Sequence, residues 1–348
     1  MMTLTKKLFL TLGFGALISF VGLAAVFVVM IYQGSNEGPE ANIMIQSGMS
    51  LQKVSTYLAD NEIIRHPTLM KWLLRLSQGE RRVRVGEFRF RRGMRVSDAV
   101  QVLYYAEPVL HPITIPEGWT IKQIGFALSE LKLIDAEKFY ELTLTKAAAT
   151  KYGIHSENLE GYLFPDTYAF SKLDGEAKIV DMMVKRFMAV WDEAIKAKAE
   201  VFGWPMEKVT NLASIIEKET GLDGERNLIS SVFHNRIKKK MRLESDPTTI
   251  YGIENFDGNL KRADLRRYSP FNTYVIRGLP LTPIANPGRA SLLAVLEPTP
   301  SEYLFFVANN QGGHIFSRTY QEHTRHVNST QKSGIRNRAK TTKNGRKP

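Results

Sequence analysis

Two glutamates lie within Asn211-Leu-Ala-Ser-Ile-Ile-Glu-Lys-Glu-Thr220, and their spacing gives them different surroundings. Leu212, Ile215, Ile216 and Glu219 fall at i, i+3, i+4 and i+7, one face of an α-helix. Glu219 therefore closes an apolar stripe. Glu217 is rotated from it by about 160°, at roughly 100° per residue, toward the opposite, outward face. A carboxyl against an apolar wall keeps its proton, because desolvation disfavours the charged form. Raised from an unperturbed value near ~4.3, it becomes a proton donor close to neutral pH. The same spacing also fits a Glu paired with Lys or Arg at a helix end. Gly221 is a helix stop, which places Glu219 in the last turn, where a cleft wall can begin.

Other side-chain sets point less sharply. The seven His residues are scattered and no His-Glu-x-x-His occurs; His323 and His326 share only i, i+3 spacing. The absence of cysteine excludes a disulfide framework, a Cys-based zinc site and a thiol nucleophile. Neither a metal nor a cofactor is expected. Ser214 and Lys218, one turn apart, could form a Ser-Lys hydrolase pair, although that spacing is common on helices. Leu159-Glu-Gly-Tyr-Leu-Phe-Pro-Asp-Thr-Tyr168 is dense in aromatics and carries a Pro-Asp turn signal. Rings beside Glu160 and Asp166 suit a carbohydrate, since rings stack on sugar faces while carboxylates take hydroxyl protons. A core-edge loop would have the same composition.

The elements that must position these residues follow from patterning, and they read as an α+β fold. The chain has 348 residues and a formal net charge of +12, enough for one to three domains. Leu8 to Tyr32 holds no charged residue and is long enough to cross a bilayer. Lys6 and Lys7 precede it and Glu37 and Glu40 follow it, so residues 1–7 are expected in the cytoplasm and the body outside. The apolar run continues past Ala24-Ala25, which favours an uncleaved anchor over a signal peptide. Residues 33–42 read as a polar linker.

A pattern of short strand, Gly turn and amphipathic helix then repeats. Ile43 to Leu58 aligns with Ile113 to Leu128, Gly48 matching Gly118 and Ser50 matching Thr120; Phe88 to Leu103 is a weaker copy. Ser50 and Thr120 are natural helix N-caps, whereas Arg95 stands at that place in the third copy. With Pro67 to Leu76 as a second helix, residues 43–110 form a strand-helix-helix-strand unit that resembles a LysM-like module. Further on, helices are expected over Lys138 to Gly153, Ala177 to Phe202, Glu225 to Ile237 and Ala290 to Leu296. Tyr303 to Ala308 reads as a buried strand paired with Gly313 to Ser317. No acidic residue follows Glu322, and eight Lys or Arg lie from Arg325 onward, so residues 328–348 read as a basic disordered tail.

Several stretches in this order resemble the endolytic murein transglycosylase (YceG-like) family. They are Leu159 to Tyr168, Ala213-Ser-Ile-Ile-Glu-Lys-Glu-Thr220, Ser231-Val-Phe-His-Asn-Arg236, Met241 to Gly252, Phe271-Asn-Thr-Tyr274 and Ile284-Ala-Asn-Pro-Gly288. The likeness covers roughly Ile43 to Val327, with departures at Glu244, Phe271 and Leu281-Thr282. It implies a catalytic domain over 111–327, anchored in the inner membrane and facing the periplasm. It also implies non-hydrolytic cleavage of peptidoglycan glycan strands between N-acetylmuramic acid and N-acetylglucosamine, leaving 1,6-anhydro ends. The family's catalytic Glu falls on Glu219. Glu160, Tyr162, Asp166, Thr220, Asn235, Arg236, Asp246, Asn272, Thr273 and Tyr274 are the expected substrate-binding residues, and Thr220 resembles the Ser of a Glu-Ser pair. Peptidoglycan synthases are candidate partners, and nucleic acid is not expected outside the cytoplasm. A non-catalytic wall-binding scaffold is the rival reading.

Overall fold

The computed structural model describes residues 4–330 apart from Asn36, Thr220 and Asn310. The fold is mixed α+β and divides into two compact units: Met1–His111 with Ala169–Leu173, and Pro112–Tyr168 with Asp174–Pro348.

The first unit begins with α1 (Leu4–Tyr32), which over Phe14–Tyr32 is long and apolar enough to cross a membrane. Then come β1 (Glu40–Ile45), α2 (Leu51–Asp60), α3 (Pro67–Leu76), the short α4 (Gly79–Arg82), β2 (Gly86–Arg91) and α5 (Val96–Tyr105). β1 and β2 pair antiparallel with Ile43 opposite Phe88. Ile43, Ile45, Val54, Leu58, Met70, Leu74, Phe88 and Leu103 make one core, and Met30 and Ile31 at the end of α1 pack against it. The Ser50 hydroxyl accepts from the Lys53 N–H as the sequence suggests, and Arg95 supplies no side-chain cap to α5.

Two short strands, β3 (His111–Thr114) and β4 (Thr167–Phe170), occur where the chain passes from one unit to the other. The second unit adds α6 (Ile121–Glu130), α7 (Ala136–Glu141), α8 (Lys146–Lys151), α9 (Gly175–Val190), α10 (Glu193–Phe202), α11 (Met206–Glu219), α12 (Arg226–Lys238), α13 (Asp246–Tyr251), α14 (Arg289–Leu296), β5 (Phe305–Ala308) and β6 (His314–Ser317). Thr120 and Gln123 form a reciprocal capping box at the start of α6. Two of the expected long helices are each two helices. Thr145 caps α8 and Asp192 caps α10, and each cap ends the preceding segment by offering its own side chain to the new N-terminus. β5 and β6 pair antiparallel, but β5 is half-buried and not fully buried as its composition suggests. A helix runs over residues 320–330, so the expected basic tail starts within a helix; residues 331–348 lie outside the described residues.

α11 is the centre of this unit. α10, α12, α13 and α14 all pack on it, and every residue from Val209 to Ile216 is buried. Two of its polar side chains bind the segment that follows Leu279. Asn211 Nδ2 donates to the Pro280 carbonyl at 2.8 Å, and the Ile284 N–H donates to Ser214 Oγ at 3.0 Å. The helix thus serves as an internal axle whose last residue emerges at the site.

Candidate active site

Glu219 ends α11 at the place where burial gives way to partial exposure. Burial pushes its carboxyl up to about 7; the Ser245 hydroxyl and Arg236 pull it down, and the negative charge of Asp246 pushes it further up. Ser245 Oγ donates to Glu219 Oε1. Among the described residues Oε2 has no hydrogen-bond partner. One oxygen is therefore oriented and the other is left to carry a proton.

Ser245 is held by a braced loop. Its N–H donates to Thr273 Oγ1 at 3.0 Å, and its carbonyl accepts from Thr248 Oγ1 at 2.6 Å. The preceding residue, Glu244, sits in left-handed backbone with φ of 52°, a conformation costly for a residue with a side chain. Arg236 holds it there. Its guanidinium donates to the carbonyls of Arg242 at 3.0 Å, Leu243 at 2.9 Å and Leu304 at 2.6 Å, and pairs with the Glu244 carboxylate at 3.1 Å. Asn235 Nδ2 donates to the carbonyls of Ser301 and Tyr303. Asn272 is buried; it donates to the carbonyls of Asp264, Leu265 and Arg267 and accepts from Thr249 Oγ1 and the Tyr274 N–H. Thr273 is buried as well. Arg236, Asn272 and Thr273 are thus buried and bonded within the protein, Arg236 and Thr273 to the loop that holds Glu219, whereas Asn235 is half-buried and ties α12 to the Ser301–Tyr303 segment. Tyr274 and Asp246 are different. The Tyr274 hydroxyl donates to Asp246 Oδ1 at 2.7 Å, on a partly exposed pair whose charges reach Glu219. Thr220 lies outside the described residues.

Glu217 does not point outward. Its side chain is 6% exposed and stands 3.7 Å from Arg226, itself 8% exposed. Glu217 Oε2 accepts from the Gly288 N–H at 3.0 Å. Arg226 also pairs with Asp223 and lies 3.9 Å from Glu117. Burial, with Glu217 beside it, holds Glu117 above the usual carboxylate range. The helical wheel misplaces Glu217 because it assumes one buried face, whereas α11 is enclosed on several. The Ser-Lys pair also fails. Ser214 is fully buried and bonded to Asn211 and Ile284, while Lys218 Nζ donates to the Gly118 carbonyl at 3.2 Å.

Glu160 is 1% exposed and sits at the N-terminus of α6. Its Oε1 accepts from the Ile121 N–H at 3.0 Å and Asn286 Nδ2 at 3.0 Å; its Oε2 accepts from the Tyr251 hydroxyl at 3.0 Å. Burial pushes the carboxyl up to about 7 against the donors that pull it back. Both oxygens are thus engaged by internal donors, and the buried carboxyl braces the start of α6. Asn286 ties the same region together, its Oδ1 accepting from the N–H groups of Gly161 and Leu163 and its Nδ2 also reaching the Trp119 carbonyl. Gly161 adopts φ of 93°, and a Cβ there would meet Pro283 at 2.6 Å, so the turn admits only glycine. Tyr162 is a core residue, buried and edge-on to Phe187 with ring centroids 5.1 Å apart. Asp166 is engaged by Arg186 at 2.6 Å, which holds its carboxyl below the usual range. Tyr162 faces the core, whereas the Asp166–Arg186 pair is partly exposed.

A cavity of about 790 Å³ adjoins the site. Lys218 and Pro247, the neighbours of Glu219 and Asp246, line it; Glu219 itself does not. Ser245, Arg226, Tyr251 and Asn286 are the residues that sequence reasoning missed. Ser245 and Asn286 stand in stretches too irregular for periodicity, and only the turn formers around them, Asp246-Pro and Asn286-Pro, mark where a side chain could bind backbone.

Comparison with known proteins adds to this geometry. The family model described as the YceG-like family matches residues 43–329. A protein of Bacillus subtilis (strain 168) named endolytic murein transglycosylase is 32% identical over 302 residues, covering 82% of this chain and 83% of that protein. A protein of the same name from Streptococcus pneumoniae (strain R6) is 26% identical over 334 residues, covering 85% of this chain and 60% of that protein. The 2.6 Å crystal structure of a YceG-like protein from Listeria monocytogenes aligns with a TM-score of 0.58 at 28% identity, over 82% of this chain and 98% of that one.

Proposed function

The chain belongs to the YceG-like family, and on that premise we propose that Glu219 is the single proton carrier of an endolytic peptidoglycan lytic transglycosylase. The observation that supports it is one carboxyl pushed to about 7, with one oxygen held by Ser245. Near neutral pH a large fraction of it is protonated. Oε2 then donates to the glycosidic oxygen between N-acetylmuramic acid and N-acetylglucosamine. The resulting carboxylate takes the proton of the muramoyl 6-hydroxyl as that oxygen attacks C1. The C1–O bond to the leaving sugar breaks, the C1–O6 bond forms, and the proton lost from Glu219 is regained. The product is a 1,6-anhydro end, and no water enters. General acid then general base by one group suits a site with one open carboxyl oxygen. A hydrolase would want a second carboxylate at a set separation. Asp246 is the neighbouring candidate, and one of its oxygens is bonded to Tyr274.

We place α1 across the inner membrane with the body in the periplasm, supported by its apolar length and by Lys6 and Lys7 before it. Residues 43–110 are proposed as a LysM-like module, supported by the order β1, α2, α3, β2 and the antiparallel β1–β2 pairing. Residues 111–327 would form the catalytic domain. Mass spectrometry of purified glycan strands after digestion tests the reaction: anhydro-muramoyl ends are expected, and reducing ends would make the enzyme a hydrolase. A reporter active only in the cytoplasm, fused after Pro348, is expected to be silent; strong activity would reverse the topology.

A further inference from the structure

The cavity beside Glu219 combines apolar walls with cations and a few polar side chains: Asn255 at an exposed position, and Thr120 and Gln123, which bond each other in the cap of α6. Leu144, Pro247, Ile250, Ile253, Phe271 and Ile284 give it apolar walls. Glu160 also lines it, but its oxygens already accept from Ile121, Tyr251 and Asn286. A pyranose carries hydroxyls around its ring and needs unfilled polar partners for them, because a polar group buried without one is costly. The buried carboxyl here offers none. The cations on the wall are Lys122 and Lys218. Lys122 is exposed and makes no ion pair among the described residues. Among the described residues Lys218 Nζ has one bond, to the Gly118 carbonyl, out of three hydrogens. Glu254 adds one exposed carboxylate.

The position is as informative as the lining. α13 starts at Asp246, whose charge reaches Glu219, and its last turn, Ile250 and Tyr251, lines the cavity. A group that branches from the sugar undergoing cleavage would enter here. The muramoyl sugar carries such a branch: a lactyl ether bearing a peptide with small apolar side chains and free carboxylates.

We propose that this cavity takes the acidic peptide stem of the muramoyl residue at the cleavage point, with Lys122 and Lys218 meeting its carboxylates. This deepens the transglycosylase reading and rests on it. The enzyme then measures the stem as well as the glycan, and strands stripped of stems are poor substrates even though the scissile bond is unchanged.

The test compares full-length protein on three purified substrates: stem-bearing strands, strands denuded by an amidase, and stem-bearing strands with their carboxylates converted to amides. Wild type is expected to show a kcat/KM at least tenfold higher on stem-bearing than on denuded strands, with amidated strands close to denuded ones. Lys122→Glu, at an exposed position without an ion pair among the described residues, is expected to bring the stem-bearing to denuded ratio toward one. Equal wild-type kcat/KM on stem-bearing and denuded strands would overturn the assignment. So would a preference that survives Lys122→Glu, or amidated strands cleaved as well as the free acids. The same mass spectra report anhydro ends. If none form from any substrate, the transglycosylase reading itself fails and this assignment falls with it.

Discussion

Glu160 and Glu219 are both pushed to about 7 by burial, yet the protein does opposite things with them. Glu160 has both oxygens bonded, to a helix N-terminus, a phenol and an amide. Glu219 has one oxygen bonded to Ser245 and the other open among the described residues. An elevated pKa alone therefore does not mark a catalytic acid. What separates them is the number of internal partners: a carboxyl that is fully satisfied braces the fold, and one left half-satisfied at a partly exposed helix end can trade a proton with a substrate.

The contrast breaks first at Glu219. Glu219→Gln keeps shape and loses proton transfer, so turnover should fall by ~10³ to 10⁴ or more, general acid–base assistance being worth ~10² to 10⁴ and one group here serving both halves. Its folding should improve at high pH. A carboxyl whose folded pKa is raised stabilises the fold fully below its ordinary 4.5, and that contribution is lost as pH rises through about 7. At pH 8 the Gln variant should thus melt above wild type, by no more than about 3 kcal/mol equivalent, while at pH 4 the two should coincide. Glu160→Ala should destabilise instead, most at low pH, because the Glu160 carboxyl is raised in the same direction and contributes most below 4.5. Leaving the Ile121 N–H, Asn286 and Tyr251 groups unpaired should cost roughly 3 kcal/mol, a fall of roughly 6–12 °C in Tm, followed by calorimetry.

Between these lies Ser245→Ala. Removing one hydrogen bond to Glu219 should lower kcat by about tenfold, since ~1.4 kcal/mol in a barrier is tenfold in rate. It should also move the alkaline limb of the rate profile upward, because the hydroxyl is what pulls the Glu219 pKa down. Glu217→Gln should cost about 1–3 kcal/mol of stability by weakening a buried pairing to Arg226 and the Gly288 N–H, with only a small change in turnover. The smallest effect is expected from deleting residues 331–348, with activity on purified strands unchanged within about threefold; a loss beyond tenfold would give the basic tail a part in substrate capture.

What the sequence made legible follows the range of the interactions. The caps at Ser50 and Thr120, the strand-helix-helix-strand order, and Glu219 at the end of an apolar stripe are all set by residues a turn or two apart. Ser245 reaches Glu219 from 26 positions away, and Asn286 reaches Glu160 across 126. Periodicity says nothing about such pairs. Arg236 and Thr273, which stand in motifs, are buried and bonded to the Ser245 loop, a framing role that their motif positions alone do not reveal. Polar residues in a motif need not touch substrate when a strained turn such as the one at Glu244 has to be held.

The account stands most directly on whether the group that titrates near 7 at Glu219 is the group that sets the rate. Protein labelled with carboxyl-¹³C glutamate can be titrated by NMR, with Glu219→Gln and Glu160→Gln assigning two signals, while kcat on glycan strands is followed over the same pH range. The expected result is a Glu219 signal titrating near 7, a loss of turnover above the same pH, and a Glu160 titration that leaves no mark on kcat. A Glu219 signal at the ordinary carboxylate value, with turnover still falling near 7, would place the proton carrier on another residue.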